Sequence, residues 1–317
     1  MAPALAVEHL SLAIGDARVV DDLSFEVAAG EVLALVGESG CGKSLTARAV
    51  MRLLPDGIRQ LSGKISVANT EISNLSERRM RDLRGRTMGM IFQEPQAALD
   101  PLATVGSQIA ETLRQPLRQA RPAIEKMLED VGISDAARRI DQHPFELSGG
   151  MCQRIMIASA LIASPAVLLA DEPTTALDVT IQAQILFLLR RLAAERGTAM
   201  LLITHDMGVV ADSADRVAVM YAGRIAETGA TTDIFADPKH PYTALLLASI
   251  PRLTDVPKSA LAVIEGRVPT PAEFPPGCRF SSRCPLADAR CAAEQPPLAE
   301  IAPGHSTACW HADRVGK

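Results

Sequence analysis

The octapeptide GESGCGKS, Gly37–Ser44, restricts the fold of this 317-residue chain more than any other stretch. It follows a continuous apolar run, VLALV, and precedes a helical pattern that begins SLTARAV. Its glycines let the backbone curl so that successive N–H groups point at one anion, and the next helix adds the positive end of its dipole. A chance glycine-rich turn is the alternative, but the position between a strand and a helix favours a phosphate-binding loop.

The pattern G-x-x-x-x-G-K-[ST] gives each part of this loop a role. Lys43 reaches the β- and γ-phosphates of a nucleotide, and the Ser44 hydroxyl is a ligand of Mg²⁺. Cys41 is interpreted as a filler residue and not as a catalytic thiol. We predict that the phosphates are bound by Gly37, Glu38, Ser39, Gly40, Cys41, Gly42, Lys43 and Ser44.

A second element with related chemistry is VLLADE, Val167–Glu172. Its apolar residues deliver Asp171 and Glu172 to the end of a predicted strand. An aspartate in this position holds Mg²⁺, mostly through water, and the glutamate is placed to polarise an attacking water as a general base. An ordinary strand that ends in acidic residues is the common alternative, and the phosphate loop upstream favours the catalytic interpretation.

Apolar runs alternate with helical patterns through the first part of the chain. Val32–Val36, Ala166–Ala170 and Ala199–Thr204 are typical of strands that are buried on both faces. Strands that alternate with helices predict a largely parallel α/β sheet. From about Gln96 to Ala163 the helical pattern dominates, which predicts a helical subdomain inserted between strands.

Composition argues against several other classes of protein. The net charge of −5 disfavours a general nucleic-acid binder. The segment MAPALAVEHL has no lysine or arginine before its apolar residues, and so lacks the charged start of a secretory signal. The longest apolar stretch, Ile155–Ala170, is shorter than a membrane span and contains Pro165. We therefore expect a buried helix followed by a buried strand, in a cytosolic protein.

The segment LSGGMCQR, Leu147–Arg154, resembles the signature of ATP-binding-cassette ATPases. The order of the other parts is similar to that family as well: MIFQEP resembles the Q-loop, ALD at Ala176–Asp178 the D-loop, and LLITHD the switch region. The resemblance covers roughly residues 5–235. It implies an α/β fold with a phosphate-loop (RecA-like) ATPase core and an inserted helical signature subdomain. One departure is that no aromatic residue for adenine stacking lies between Leu12 and Val20.

The same resemblance implies roles for residues outside the phosphate loop. Gln93 would sense Mg²⁺, as one of its ligands, and the attacking water, and His205 would contact the γ-phosphate. The signature residues would contact the ATP that an opposite subunit holds, through Ser148, Gly149 and Gly150. A serine-capped helix start without a ligand is the plain alternative for LSGG alone.

A narrower resemblance, to the ATPases of dipeptide/oligopeptide (and nickel) permeases, covers nearly the whole chain. It rests on MIFQEPQAALDPLATVGSQI, on the segment around the signature with Met151, and on HPYTALLLASIP with the cysteines that follow. It implies ATP- and Mg²⁺-dependent import of di- or oligopeptides or another small solute. The implied partners are a second ABC ATPase, two transmembrane permease subunits and an extracytoplasmic solute-binding protein, with no nucleic acid. The implied location is the cytoplasmic face of the bacterial inner membrane. Neither the solute nor the choice between a homodimer and a heterodimer follows from the sequence.

Two functions other than transport would also use an ATP-binding cassette. Soluble cassette proteins of translation or DNA repair usually carry two cassettes or long coiled-coil insertions, and neither feature is visible. A regulatory subunit with a dead site would need a damaged catalytic residue, yet Lys43, Asp171, Glu172 and His205 are all present.

The composition changes after HPYTALLLASIP, where prolines become frequent and apolar residues few. We place the domain boundary a few residues before this segment, with an ATP-binding cassette over residues 1–235, its helical subdomain at about 96–163, and a C-terminal extension over residues 236–317. The core of the extension looks too small to fold well. We therefore expect an irregular segment that a metal site stabilises and that lies apart from the nucleotide site.

The extension contains four of the six cysteines, in the spacing C-x5-C-x6-C-x17-C. In a reducing cytosol such clustering indicates metal ligation before disulfides. Four thiolates can hold tetrahedral Zn²⁺ or a [4Fe–4S] cluster. The spacing lacks the tight C-x2-C pairs of zinc ribbons, and the permease resemblance also points to a [4Fe–4S] cluster. His305 and His311 keep a mixed zinc ligand set open. The predicted ligands are Cys278, Cys284, Cys291 and Cys309.

Overall fold

A computed structural model describes residues 2–174, 178–250 and 263–316 of the chain. The chain divides into two compact units. Unit 1 consists of Met1–Ala6, Glu26–Val32 and Ile65–Ile203, and unit 2 consists of Val7–Phe25, Leu33–Lys64 and Thr204–Lys317.

The strands are β1 (Leu5–Ile14), β2 (Ala17–Val27), β3 (Val32–Val36), β4 (Ile58–Val67), β5 (Thr70–Glu71), β6 (Met88–Ile91), β7 (Val167–Asp171), β8 (Ala199–Thr204), β9 (Arg216–Tyr221), β10 (Arg224–Ala230), β11 (Ala299–Ala302) and β12 (His305–Thr307).

The helices are α1 (Lys43–Val50), α2 (Glu77–Leu83), α3 (Pro95–Ala98), α4 (Val105–Leu113), α5 (Leu117–Asp130), α6 (Ala136–Arg139), α7 (Gly149–Leu161), α8 (Val179–Arg196), α9 (Met207–Ser213), α10 (Thr231–Ala236), α11 (Pro241–Ala248) and α12 (Ala289–Ala293). Short 3₁₀ turns are formed by Pro144–Glu146, Pro271–Glu273, Ser281–Arg283 and Ala312–Arg314.

The core of unit 1 is a parallel sheet in the order β8-β7-β6. Leu168 lies opposite Gly89 on one side and Met200 on the other. All residues of β6, β7 and β8 are buried, which explains why their sequences are continuously apolar. The predictions of buried strands around residues 167–170 and 199–204 are confirmed.

Helices α3 to α7 also belong to unit 1, in the region where the sequence predicts a helical insertion. Helix α5 buries Ile124, Met127 and Leu128, the residues that follow a helical spacing. Helix α7 ends at Leu161, before Pro165, and β7 begins two residues after that proline. The long apolar stretch is thus a buried helix followed by a buried strand, as predicted. Within the described ranges, no helix combines the length and apolarity that a membrane span requires.

Unit 2 contains strands in the order β11-β12-β10-β9-β3. Strand β3 pairs with β9 in parallel, while β9, β10, β12 and β11 are successively antiparallel. Strands β2, β1 and β4 lie side by side in that order in a second sheet. The parallel pairing of β3 places the loop that follows Val36 at the carboxyl edge of the sheet, where α/β proteins bind ligands.

The C-terminal extension is more regular than the sequence analysis predicts. Residues 299–302 and 305–307 form a hairpin around Pro303 and Gly304, and β12 joins the sheet through Glu227↔Thr307 pairing with β10. The expectation of an irregular segment was wrong here because these strands are too short to produce an alternating pattern that can be recognised. Phe280, which is 2% exposed, adds an apolar anchor.

Candidate active site

The phosphate loop between β3 and α1 has a backbone that only glycine permits at two positions. A Cβ atom on Gly37 would lie 2.1 Å from the carbonyl oxygen of Met220. Gly42 has a φ of +106°, and a Cβ there would lie 2.8 Å from Val20 Cγ2. The first and last glycines of the loop are therefore required by packing, as the predicted phosphate loop demands.

Several amide groups of the loop are open to a ligand. Within the described part of the chain, the N–H groups of Gly40, Gly42 and Lys43 donate to no other protein group. Gly42 and Lys43 begin helix α1, where the helix dipole is positive. Helix starts with unpaired amides are sites that bind phosphate groups, so this geometry fits a nucleotide phosphate.

Lys43 is held within the loop itself. Its Nζ atom donates to the carbonyl oxygen of Gly37 at 2.7 Å and to that of Glu38 at 3.1 Å. The side chain of Lys43 is only 5% exposed. Because little water surrounds the buried ammonium group of Lys43, its charge is weakly screened and can attract an anion at the loop.

Cys41 lies inside the loop but is 1% exposed. Burial raises the pKa of its thiol, although the charge of Lys43 opposes this effect. A buried thiol with a raised pKa is a poor nucleophile, which agrees with its interpretation as a filler residue. Its N–H group donates to the carbonyl oxygen of Glu38 at 3.4 Å.

The acidic pair follows β7 in unit 1. Asp171 is the last residue of the strand and is buried. Glu172 has a φ of +46°, a left-handed conformation that costs a non-glycine residue roughly 1 kcal/mol. Strained backbones of this kind are concentrated at functional sites. The Nε2 atom of Gln93 donates to Glu172 Oε2 at 3.0 Å, so the structure brings these two predicted residues together.

Gln153 is a residue that the sequence analysis missed. It lies on α7 within the signature segment, is 2% exposed, and its Nε2 atom donates to the carbonyl oxygen of Pro173. The signature helix is thereby tied to the residue that follows Glu172. A polar residue on the buried side of an apolar helix was the signal that could have identified it.

The predicted signature residues lie at the start of α7. Ser148 is the N-cap, and its Oγ atom accepts a hydrogen bond from the amide of Met151 at 3.3 Å. Ser148 and Gly149 are exposed and Gly150 is half-buried. The amides of Gly149 and Gly150 have no protein partner within the described residues. This helix start can therefore accept an anion presented from outside the chain.

The structure describes the switch residue His205 and Asp178 of the D-loop, but not the other two D-loop residues. His205 is exposed and lies between β8 and Asp206, the N-cap of α9. The D-loop residues Ala176 and Leu177 lie outside the described residues. Asp178 is the N-cap of α8 and its Oδ1 atom accepts from the amide of Ile181 at 3.0 Å.

Glu38 in the phosphate loop contacts the C-terminal extension directly. Its carboxylate accepts two hydrogen bonds from Arg283, at 2.7 and 3.0 Å, and its amide donates to the hydroxyl of Tyr242 at 2.9 Å. The expectation that the cysteine segment lies apart from the nucleotide site was therefore wrong. A contact between residues 245 positions apart leaves no local pattern in the sequence.

The four cysteines of the extension lie close enough to one another for their charges to interact. Burial, followed by the charges of Cys284, Cys278 and Cys291, raises the pKa of Cys309 to about 11. The amide of Cys278 donates to the carbonyl oxygen of Cys291 at 2.8 Å. All four thiols are free of disulfides. A bound cation would lower these pKa values and stabilise the thiolates.

The spacing of the ligand atoms separates two kinds of metal site. Tetrahedral Zn²⁺ with Zn–S bonds of about 2.3 Å requires sulfurs about 3.8 Å apart. Among the described residues, no three of the thiols lie within 4.8 Å of one another; the set that does so is Asp288, Cys291 and His311. His311 Nε2 lies 3.0 Å from Asp288 Oδ2. His305 is instead paired with the buried Glu227 at 2.8 Å.

Two family models match the chain. The model described as "ABC transporter" matches residues 20–175, and the model described as "Oligopeptide/dipeptide transporter, C-terminal region" matches residues 226–291. The first match contains the phosphate loop, the signature and the acidic pair. The second ends at Cys291 and includes Tyr242 and Arg283.

Curated relatives match over nearly their whole length. The chain is 50% identical to a probable peptide ABC transporter ATP-binding protein of Sinorhizobium fredii, over 94% of this chain and 90% of that protein. It is 45% identical to a dipeptide transport ATP-binding protein of Bacillus subtilis, over 99% of this chain and 96% of that protein.

Solved structures share the fold. CbiO1 of Clostridium perfringens, part of the ABC transporter complex CbiONQ, matches with a TM-score of 0.65 and 29% identity, over 75% of this chain and 92% of that one. An ATP-binding cassette solved as a dimer with ADP and Pi matches with a TM-score of 0.64 over 72% of this chain and 98% of that one. This chain belongs to the ATP-binding proteins of ABC transporters, in the group that carries the oligopeptide/dipeptide transporter C-terminal region.

Proposed function

We propose that this chain is the ATP-hydrolysing subunit of an ABC importer for di- or oligopeptides or a related small solute. The observation that carries the proposal is the phosphate loop, whose open amides and buried Lys43 form an anion site at the start of α1. Relatives named as peptide and dipeptide transport proteins, at 45–50% identity, favour peptides as the solute.

We assign a separate role in ATP hydrolysis to the phosphate loop and to each residue of the acidic pair. Lys43 and the amides of the loop bind the ATP phosphates. Ser44, Asp171 and Gln93 would hold Mg²⁺, which offsets phosphate charge when it is bound. Glu172 accepts the proton of the attacking water.

Gln93 and His205 have further roles in the proposed hydrolysis of ATP. Gln93 donates to Glu172 and thereby orients its carboxylate. We assign His205 to the γ-phosphate.

The exposed start of the signature helix supports a second ATPase as a partner. Because the amides of Gly149 and Gly150 have no protein partner among the described residues, we assign them, with Ser148, to the ATP of an opposite subunit. That subunit would be a second ABC ATPase, and the pair would work with two permease subunits and an extracytoplasmic solute-binding protein. The complex would lie at the cytoplasmic face of a bacterial inner membrane.

The function is tested by assembly. When the chain is co-expressed with its candidate permease subunits, we expect it to co-purify with them from detergent-solubilised membranes. The matched control is co-expression with permease subunits of an unrelated importer, which should leave the chain in the soluble fraction. Failure to co-purify with any peptide permease would contradict the proposal and favour a soluble cassette protein.

The domain organisation stays a proposal as well. A cassette over residues 1–235 with a helical subdomain at about 96–163 agrees with the positions of α3 to α7. An extension from residue 236 begins at the end of α10 and contains the hairpin of β11 and β12.

For the extension we infer a [4Fe–4S] cluster held by Cys278, Cys284, Cys291 and Cys309. Among the described residues the four thiols influence one another's pKa, yet no three lie within the 4.8 Å that a single zinc ion would need, which supports a larger cofactor. Zinc with Asp288, Cys291 and His311 is the alternative.

Metal analysis distinguishes these two sites. Protein purified without air should contain about four irons and four sulfides per chain, and Cys284→Ser should lose them. Cys152→Ser is the matched control, because Cys152 is buried on α7 and should leave the iron content unchanged. Stoichiometric zinc without iron or sulfide, lost on His311→Ala, would contradict the cluster and support the alternative.

A further inference from the structure

The contacts of Glu38 make the C-terminal extension part of the nucleotide site. We propose that Arg283 is a positioning residue, which fixes the phosphate loop through Glu38 and so sets the affinity for ATP. The inference rests on the proposed function, because it concerns the same phosphate loop.

The guanidinium of Arg283 is fixed on both sides. Its Nη1 and Nη2 atoms donate to the two carboxylate oxygens of Glu38, which is the bidentate geometry of a strong arginine–carboxylate pair. Its Nε atom donates to the carbonyl oxygen of Glu265 at 2.8 Å, and Nη2 also donates to that of Ile264 at 3.2 Å. The side chain of Arg283 is 4% exposed and that of Glu38 is 29% exposed, so solvent screens the pair only in part.

Glu38 in turn organises the loop around Lys43. Its carbonyl oxygen accepts hydrogen bonds from Lys43 Nζ at 3.1 Å and from the amide of Cys41 at 3.4 Å. Its amide is already used by the hydroxyl of Tyr242. Every polar group of Glu38 therefore has a partner in the protein. Its role is to hold the loop in shape, while the open amides at Gly40, Gly42 and Lys43 face the ligand.

Tyr242 provides a second contact from the same side. Its ring packs against Tyr221 at 4.7 Å and against Phe280 of the cysteine segment at 5.4 Å, measured between ring centroids. The amide of Tyr242 donates to His240 Nδ1 at 3.1 Å, and the amide of His240 donates to the buried Glu227. The hydroxyl that meets Glu38 is thus positioned by a rigid aromatic and polar cluster.

Removal of Arg283 has an electrostatic consequence beyond a lost hydrogen bond. The carboxylate of Glu38 would stay half-buried without its partner, in a loop that must accept negatively charged phosphates. An unpaired charge in such a site is costly, and its repulsion acts on bound ATP and ADP alike. The expected effect is therefore on nucleotide affinity and not on the chemical step.

The cysteine segment is directly linked in sequence to the Arg283–Glu38 contact. Arg283 immediately precedes Cys284, and Phe280 lies between Cys278 and Cys284. A change that displaces the backbone of Cys284 must displace Arg283 as well. A change in the cysteine segment that moves this backbone is therefore expected to weaken ATP binding.

The test compares Arg283→Ala with Arg267→Ala. Arg267 is the matched control, because it lies in the same extension but pairs with Glu273 and is 76% exposed. For Arg283→Ala we expect the KM for ATP to rise about tenfold, which corresponds to ~1.4 kcal/mol, while kcat stays within about twofold. Arg267→Ala should match the wild type in both constants.

Two more variants keep the test decisive if Arg283→Ala folds poorly. Arg283→Lys retains the charge but cannot form both parallel hydrogen bonds, so its KM should lie between those of the wild type and the alanine variant. Glu38→Gln combined with Arg283→Ala removes the unpaired charge and should lower the KM relative to Arg283→Ala alone.

Unchanged KM values in the Arg283 variants, in a wild type that binds ATP, would overturn this inference alone. The absence of any rescue by Glu38→Gln would overturn it as well. A wild-type chain that does not bind ATP would refute the proposed function and this inference together.

Discussion

The Glu172→Gln variant is expected to bind ATP with near-normal affinity and to hydrolyse it at least about a hundredfold more slowly, the scale of losing a general base. The amide keeps the size of the carboxylate and can still accept the hydrogen bond from Gln93 Nε2. It cannot take a proton from the attacking water, so the ATP-bound pair of ATPases should accumulate. The measurement is the single-turnover rate, with nucleotide binding followed separately.

Glu195→Gln is the matched control for this variant. Glu195 lies on α8 with a 59% exposed side chain, 3.9 Å from Arg191, and its substitution should leave turnover unchanged. Turnover near the wild-type rate in Glu172→Gln would remove Glu172 from the role of general base. Loss of nucleotide binding instead would mean that the carboxylate serves the fold and not the reaction.

The Ser148→Arg variant is expected to lose hydrolysis in the assembled pair of ATPases while the same chain still binds ATP. The long side chain would cover the open amides of Gly149 and Gly150, which we assign to the partner's nucleotide. Losing the cap of α7 also costs about 1 kcal/mol of helix stability. Ser148→Ala separates the two effects, because it removes the cap without covering the amides.

Ser76→Arg is the matched control for the bulky substitution. Ser76 is the exposed N-cap of α2 and its side chain makes no capping hydrogen bond, so the change should leave hydrolysis intact. The measurement is the hydrolysis rate of mixed pairs in which only one subunit carries the variant. Equal loss of ATP binding to the variant chain itself would contradict a role across the dimer.

The parts of the site that depend on local sequence were predictable. The phosphate loop is specified by glycines whose conformation and packing leave no alternative, as at Gly37 and Gly42. The acidic pair follows from an apolar run that ends in Asp171 and Glu172. In both cases the sequence pattern is local, because the glycine spacing and the acidic residues each follow directly on an apolar run. The contacts that explain the pattern, such as that of Gly37 with Met220, are distant along the chain.

The contacts of the extension could not be predicted in this way. Arg283 and Glu38 are separated by 245 positions, and Tyr242 and Glu38 by 204. Both pairs depend on how the extension packs against strands β9 and β10, and no spacing rule encodes that packing. The hairpin of β11 and β12 was missed for a related reason, because strands of three or four residues show no period.

The most direct test of the account is ATP hydrolysis by the complete complex reconstituted in lipid vesicles, measured with and without peptide-loaded binding protein. The account predicts that loaded binding protein stimulates hydrolysis several-fold and that Glu172→Gln in this chain abolishes the stimulated component. If hydrolysis proceeds at the same rate with and without membrane subunits, peptide and binding protein, this chain is not the ATP-hydrolysing subunit of a peptide importer.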